Sequence, residues 1–342
     1  MKLTTEARLI EAIQPIRYFS LAVCIYHLFD TGIYDFLMKN GSVSVSQLIN
    51  HFGLDDKKLR GFLKFLRNEH ILIESNDSFQ LGPKGIELGD FRGWYIMMIG
   101  GYAETFLQMG PKMKDNSGWA SRNLMKVGVG SCEISHYDAI PLTQRLMSQI
   151  SGEKKRLLDL GCGNGLYLVE FCKLHPDIEA FGIEPSEGGY SEALKLVDQH
   201  GMQDRIQLMQ SSAFEFLNQD FDFKPDFMVL GFVLHEILGQ SGEEGVIQFL
   251  QQITDRFPDI DIIIIEVDDR IDDLDKMSHG LASAYYNPYY LLHYFTNQLL
   301  EKEKYWDDLF AKLNFTVQAK ERVNHDVDST DLTIGYLIKK EQ

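Results

Sequence analysis

The sequence predicts an α/β fold preceded by an N-terminal all-helical/winged-helix domain, and three observations carry that prediction. Residues 156–165, RLLDLGCGNG, read as a short β-run closing on an acid, then a glycine loop that opens a helix over 166–174. A second apolar run, 180–183, closes on the carboxylate of Glu184. From Arg156 onward β-like runs recur at 156–161, 179–184, 205–209, 226–231, 261–267, 314–321 and 333–339, with helical stretches between the first five.

The first 88 residues follow another pattern. Helix-like apolar faces fill residues 3 to 40, through Leu9, Ile10 and Ile13, then Phe19, Ala22, Val23 and Tyr26. A short helix starts at Ser44 and stops at Gly53, and Asp55 or Asp56 can cap a third helix over 57–68. Runs 71–73 and 79–81 flank Asn76-Asp77 as a β-hairpin. Helix, helix and hairpin make a winged-helix arrangement. Its second helix carries Lys57, Lys58, Arg60, Lys64 and Arg67, which a phosphate-contacting helix would want. The expected domains are 1–88, a helical bridge covering the substrate over 89–150, and an α/β domain over 151–342.

Composition narrows the partners. The 342 residues suffice for about two domains. Thirty-three basic against 50 acidic side chains give a net charge of −17, which argues against nucleic acid or an anionic membrane. Residues 1–88 hold ten of each sign, so even the winged-helix part is only neutral. Cys24, Cys132, Cys162 and Cys172 show no metal-ligand or redox spacing, the pattern of a reducing cytoplasm. The N-terminus reads as an amphipathic helix rather than a signal peptide. The most apolar run, 93–103, lies between Arg92 and Glu104 and falls well short of the ~20 residues that span a bilayer.

The glycine spacing is specific. A dinucleotide fingerprint reads G-x-G-x-x-G, whereas Gly161, Gly163 and Gly165 follow Asp159 one residue more tightly. This pattern resembles motif I of the class I S-adenosylmethionine (SAM) methyltransferases. The resemblance implies a Rossmann-like, seven-stranded, mostly parallel class I methyltransferase domain whose last strand, 333–339, is antiparallel. It implies SAM binding by Asp159, Gly161, Gly163 and Glu184, the last taking the ribose hydroxyls. Ligands of open α/β sheets sit beyond the carboxyl ends of the strands. That rule adds Gly231 and the loop 210–214, with Ser212, Ala213 and Phe214 beside the adenine. Phe214 is either a stacking face or part of a helix N-terminus capped by Ser211 or Ser212. Tyr137, in the turn-rich segment 130–141, is either a lid over SAM or part of a surface connector, and His136 beside it is ambiguous.

Two further clusters suggest the chemistry. His235-Glu236 after the fourth strand resembles the L-H-D-W position of plant-type small-molecule O-methyltransferases, although no Trp follows. Residues 285–298 form an aromatic-rich helix in which His293 lies among Tyr289, Tyr290 and Tyr294. Two imidazoles and a carboxylate are the set that binds a divalent metal with open positions. Together the clusters resemble the α-keto-acid C-methyltransferases, acting on substrates such as phenylpyruvate or 2-ketoarginine. That family's pattern has Asp where this chain has Glu236. That resemblance implies C-methylation at the β-carbon of an α-keto acid, with His235, Glu236 and His293 both catalytic and metal-binding. A metal's charge would stabilise the enolate where negative charge develops, and iron, zinc and nickel all accept these ligands. It also implies a small-molecule acid substrate, a role in secondary metabolism, and a homodimer formed through the winged-helix domain. Without metal, the expectation is O-methylation with His235 as general base. Outside enzymes, the alternative is a SAM-sensing winged-helix regulator that binds DNA. Arg122 is either paired with a carboxylate or, the favoured reading, solvated; His279 reads as surface, and the acid run Asp268, Asp269, Asp272, Asp273 and Asp275 as a solvated loop lacking the EF-hand pattern.

Overall fold

The structure, a computed structural model, describes residues 4–219 and 221–341. The chain divides into two compact units, one ending at Gly101 and the other beginning at Tyr102, so the segment 89–150 is shared between them.

The first unit is mostly helical. Helices Thr5–Asp30, Ile33–Asn40, Val45–Phe52 and Asp56–Asn68 surround a three-stranded antiparallel sheet of β1 (Val43–Ser44), β2 (Leu72–Ser75) and β3 (Ser78–Leu81), in the order β1-β3-β2. The local signals work as expected. Ser44 forms a capping box with Gln47, Gly53 ends its helix at φ +67°, and Asp55 accepts from Lys58 N at 2.9 Å. Asn76 and Asp77 both take positive φ, as a tight two-residue hairpin requires. Two of the five basic residues on the helix Asp56–Asn68 are tied down within the unit: Arg60 to Asp56 and Asp77, and Arg67 to Glu74.

The helix Thr5–Asp30 is long and apolar enough to cross a membrane by length and composition alone, which the sequence reading overlooked. Its second half does something else: Leu21, Ile25, Leu28 and Phe29 are buried in the unit's own core with Leu37, Leu48, Leu63 and Phe79. Its first half leaves Leu9, Ile10, Ile13 and Ile16 exposed.

The second unit carries β4 (Arg156–Leu160), β5 (Glu179–Glu184), β6 (Ile206–Gln210), β7 (Phe227–Gly231), β8 (Asp261–Val267), β9 (Phe315–Arg322) and β10 (Thr333–Lys340). Each matches its expected run to within a residue at either end. The order is β6-β5-β4-β7-β8-β10-β9; β4 to β8 are parallel, and β10 runs antiparallel to both neighbours. Helices cover both faces, so the central strands are buried on both sides: all seven residues of β8 are buried, the acids Asp261 and Glu266 among them. Strand order reverses between β4 and β7, which opens a crevice at their carboxyl ends.

Candidate active site

The loop after β4 is shaped by its backbone. Gly161, Gly163 and Gly165 take φ of +98°, +57° and +74°, conformations that side chains with a Cβ rarely adopt. A Cβ on Gly163 would also lie 3.3 Å from Cys132 Sγ. Glu184 closes β5 and braces the loop, accepting from Gly163 N at 3.0 Å, Ser186 N at 2.9 Å and Ser186 Oγ at 2.6 Å. Asp159 is 4 % exposed; burial and then the charge of Glu184 push its carboxyl up to about 7. Beyond β6, Ser212 caps the helix Ala213–Leu217 in a capping box with Glu215. Phe214 packs its ring 5.2 Å from that of Phe249. Tyr137 lies half-buried in the turn between the helices Leu124–Ser135 and Ala139–Ser148.

The segment after β7 is built from side chains. Gly231 ends the strand, and Phe232 turns the chain at φ +59°, rare for an aromatic residue. The helix Leu234–Arg256 then begins over Glu266 of β8. One oxygen of Glu266 accepts from Leu234 N at 2.9 Å and His235 N at 3.2 Å, capping the helix. The other lies 2.8 Å from His235 Nδ1. A carboxylate at Nδ1 places the proton there and leaves Nε2 as the lone-pair nitrogen. Burial alone would depress the His235 pKa, but the charge and hydrogen bond of Glu266 outweigh it and hold the pKa above the ordinary imidazole value.

Glu236 points to different partners. Arg122 Nη1 and Nη2 each reach one of its oxygens at 2.7 Å, a bidentate pair, and Gln298 Nε2 donates to Oε1 at 2.6 Å. Burial would raise the Glu236 pKa; Arg122 and His235 reverse that and hold it low. Long-range contacts make this possible. Ala120 N donates to Phe295 O at 2.8 Å, which brings Arg122 alongside. Gly239 lets residues 297–298 approach the helix, since a Cβ there would lie 2.5 Å from Asn297 O. His293 is 3 % exposed, and its ring centroid is 5.2 Å from that of His235. Its Nδ1 donates to Tyr289 O at 2.7 Å, and its Nε2 has no partner. Burial, followed by the charge of His235, pushes its pKa well below the usual value.

A methyltransferase family model matches residues 153–226, which include the glycine loop, Glu184 and Ser212. The 2-ketoarginine methyltransferase of Streptomyces arginensis is 37% identical over 342 residues, covering 98% of this chain and 97% of that one. This chain belongs to that methyltransferase family. It is a SAM-dependent enzyme with a class I fold. Human N-acetylserotonin methyltransferase in complex with SAM has a similar structure at a TM-score of 0.67 and 12% identity, over 100% of this chain and 99% of that one. The N,N-8-amino-8-demethyl-D-riboflavin dimethyltransferase of Streptomyces davawensis aligns at a TM-score of 0.62 and 17% identity, over 99% of this chain and 100% of that one.

In this methyltransferase the structure brings His235, Glu236 and His293 together, but not as three ligands. Among the described residues no group of three or more His, Cys, Asp or Glu is arranged to hold a metal ion, and both oxygens of Glu236 face Arg122. Arg122, for which solvent was the favoured expectation, takes the carboxylate pairing instead and is half-buried in it, with side chains 12% and 28% exposed. The acid run after β8 is not wholly solvated either: Asp268 is buried and accepts from Arg270 Nε and Glu303 N, each at 2.8 Å. His279 is exposed as expected, and His136 is exposed too. Sequence reasoning missed Glu266, Gln298 and Tyr102, whose buried hydroxyl lies 3.4 Å from Gln298 Oε1. Glu266 carried one signal, an acid inside the otherwise apolar run 262–267.

Proposed function

We propose that this methyltransferase transfers the SAM methyl group to the β-carbon of an α-keto acid of the 2-ketoarginine type. One observation carries the reading furthest: two buried imidazoles, His235 and His293, each anchored through Nδ1, with Nε2 of His293 unpartnered and Nε2 of His235 met only by Gln298 Nε2 at 3.4 Å. That is how metal-binding histidines are held. A divalent metal would be held by His235 and His293, and by Glu236 once it gives up Arg122; bound there, it would supply Lewis-acid stabilisation of the enolate oxygen. The full-length likeness to 2-ketoarginine methyltransferase supports the substrate class.

SAM is assigned to the crevice beyond β4 and β5. Gly161 and Gly163 admit its amino-acid end, Glu184 exchanges its loop contacts for the ribose hydroxyls, and Asp159 places negative charge near the cationic cofactor. Ser212, Ala213, Phe214, Gly231 and Tyr137 are assigned to its flanks. When Arg122 leaves Glu236, its planar fork suits the keto-acid carboxylate. Glu266 fixes the orientation of His235, and burial of both imidazoles keeps bulk water from the enolate. A water molecule takes the proton of the β-carbon and carries it to solvent, the electron pair left behind attacks the sulfonium methyl in line, and the S–CH3 bond breaks with its electrons going to sulfur to leave S-adenosylhomocysteine.

A second reading draws on the Arg122–Glu236 pair. With Glu236 engaged and the His235 pKa raised, His235 alone is a competent base for O-methylation of an acidic hydroxyl. A panel of keto acids and phenols incubated with SAM separates the two readings: keto acids gaining a methyl support the first, and phenols alone gaining one support the second.

The first unit is proposed as a winged-helix dimerisation platform, with the exposed face of Leu9, Ile10, Ile13 and Ile16 against a second copy. Internal pairing of Arg60 and Arg67 weakens the case for a DNA-binding regulator. All four cysteines are free, in keeping with a proposed cytoplasmic setting.

A further inference from the structure

A cavity of about 140 Å³ opens beside His293. Its wall includes Asp269 and Glu301, His293 and Gln298, and Tyr290 and Tyr294. The two acids are held side by side, since Asp269 N donates to Glu301 O at 3.1 Å. Asp269 uses one carboxylate oxygen to accept from Ile271 N at 3.1 Å. Among the described residues neither acid forms an ion pair with a lysine or arginine. Arg270 is occupied by Asp268 at 2.8 Å, and Lys302, which acts on both carboxylates through its charge, is not part of the wall. Burial pushes both carboxyls above their ordinary values, with the charges of Asp272 and Asp268 adding at Asp269 and the charge of Asp269 adding at Glu301. Such a pair gains when a cation enters.

Two wall residues connect the cavity to the reacting centre. Gln298 forms part of its wall while donating to Glu236 Oε1 at 2.6 Å and standing 3.4 Å from His235 Nε2. His293, 3 % exposed, contributes to the same wall and has an Nε2 without a partner. Tyr290 is held by its hydroxyl, which donates to Asp268 O at 2.7 Å, so its ring is a fixed side of the passage. Aromatic faces and paired carboxylates both favour a flat, delocalised cation.

We infer that this cavity is the specificity subsite for the cationic end of the substrate, a guanidinium held by Asp269 and Glu301 at the far end of an α-keto acid whose reacting carbons lie by His235 and His293. The inference rests on the keto-acid reading. It adds the reason for selectivity: a neutral side chain of the same length would leave two half-buried carboxylates unpaired.

The test uses the full-length enzyme and three variants, Asp269→Asn, Glu301→Gln and the double variant, each checked by thermal melting. Two substrates of equal length are compared, 2-ketoarginine and 2-oxo-5-ureidopentanoate, which carries a neutral urea in place of the guanidinium. KM for 2-ketoarginine should rise about tenfold in each single variant and about a hundredfold in the double one, while kcat and the ureido acid change little. Equal losses on both substrates, or none on either, would overturn the subsite. Calorimetry with 5-guanidinopentanoate and 5-ureidopentanoate judges it separately from turnover. If the wild type methylates no keto acid, the keto-acid reading fails. The subsite then survives only if the guanidino compound binds more tightly and loses that advantage in the double variant. Equal binding of the two compounds sinks it.

Discussion

The loop after β4 and the side-chain network after β7 face the same crevice but are built by different means. The first is a backbone device: three glycines at positive φ, braced by a single acid from the next strand. The second collects Arg122, His235, Glu236, Glu266, His293 and Gln298 from separate stretches of chain and holds them by side-chain hydrogen bonds. A backbone-built site tolerates change in most side chains around it, whereas a side-chain network depends on each member. The contrast predicts that variants in the second region should lose turnover before SAM affinity, and variants in the first the reverse.

The largest effect is expected at His235. His235→Ala should lower kcat by roughly a thousandfold while SAM affinity, measured by calorimetry, stays within about twofold. A parallel loss of SAM binding would erase the distinction between the regions. Glu266→Gln keeps a hydrogen-bond acceptor for Leu234 N but can no longer hold the His235 tautomer by charge. It should cost roughly a hundredfold in kcat, with the melting temperature little changed.

Arg122 separates stability from chemistry. Arg122→Ala leaves Glu236 partly buried without its bidentate partner and should destabilise the fold by about 2 kcal/mol, read from chemical denaturation. The double variant Arg122→Met with Glu236→Leu should recover most of that stability and none of the activity. Recovery of both would mean the pair plays no part in catalysis.

The smallest effect concerns pH and the glycine loop. The Asp159 carboxyl is raised from 3.8 to about 7, so between those values the folded protein holds a proton that the unfolded chain lacks. Stability from this group is therefore fully present below about pH 4 and declines as pH rises through 7. A cationic cofactor beside Asp159 favours its charged form, so SAM affinity should strengthen about tenfold from pH 6 to pH 8. Asp159→Asn should flatten that profile. An unchanged slope in the variant would remove Asp159 from the cofactor site.

The same contrast explains what could be read from the sequence. The strands of the sheet and the glycine loop follow from local patterns, an apolar run and a glycine spacing, so each lies within a residue or so of its expected place. Gly53 as a helix stop, and Asp55 as one of two candidate caps, were legible for the same reason. Arg122 was not, because its burial depends on a backbone bond from Ala120 to Phe295, far along the chain. Glu266 lay hidden in a strand whose apolar character was its obvious feature. The three expected metal ligands did come close together, yet nothing local to Glu236 announces that an arginine more than a hundred residues earlier occupies it.

The most direct test of the central claim is where the transferred methyl group ends up. The enzyme, 2-ketoarginine and SAM labelled with carbon-13 in its methyl group would be followed by NMR through turnover. The account predicts a labelled methyl bonded to the β-carbon, with coupling to the single hydrogen left there. A label bonded to oxygen, on this acid or on any hydroxyl acceptor that outcompetes it, would contradict the account and leave His235 as the base of an O-methyltransferase.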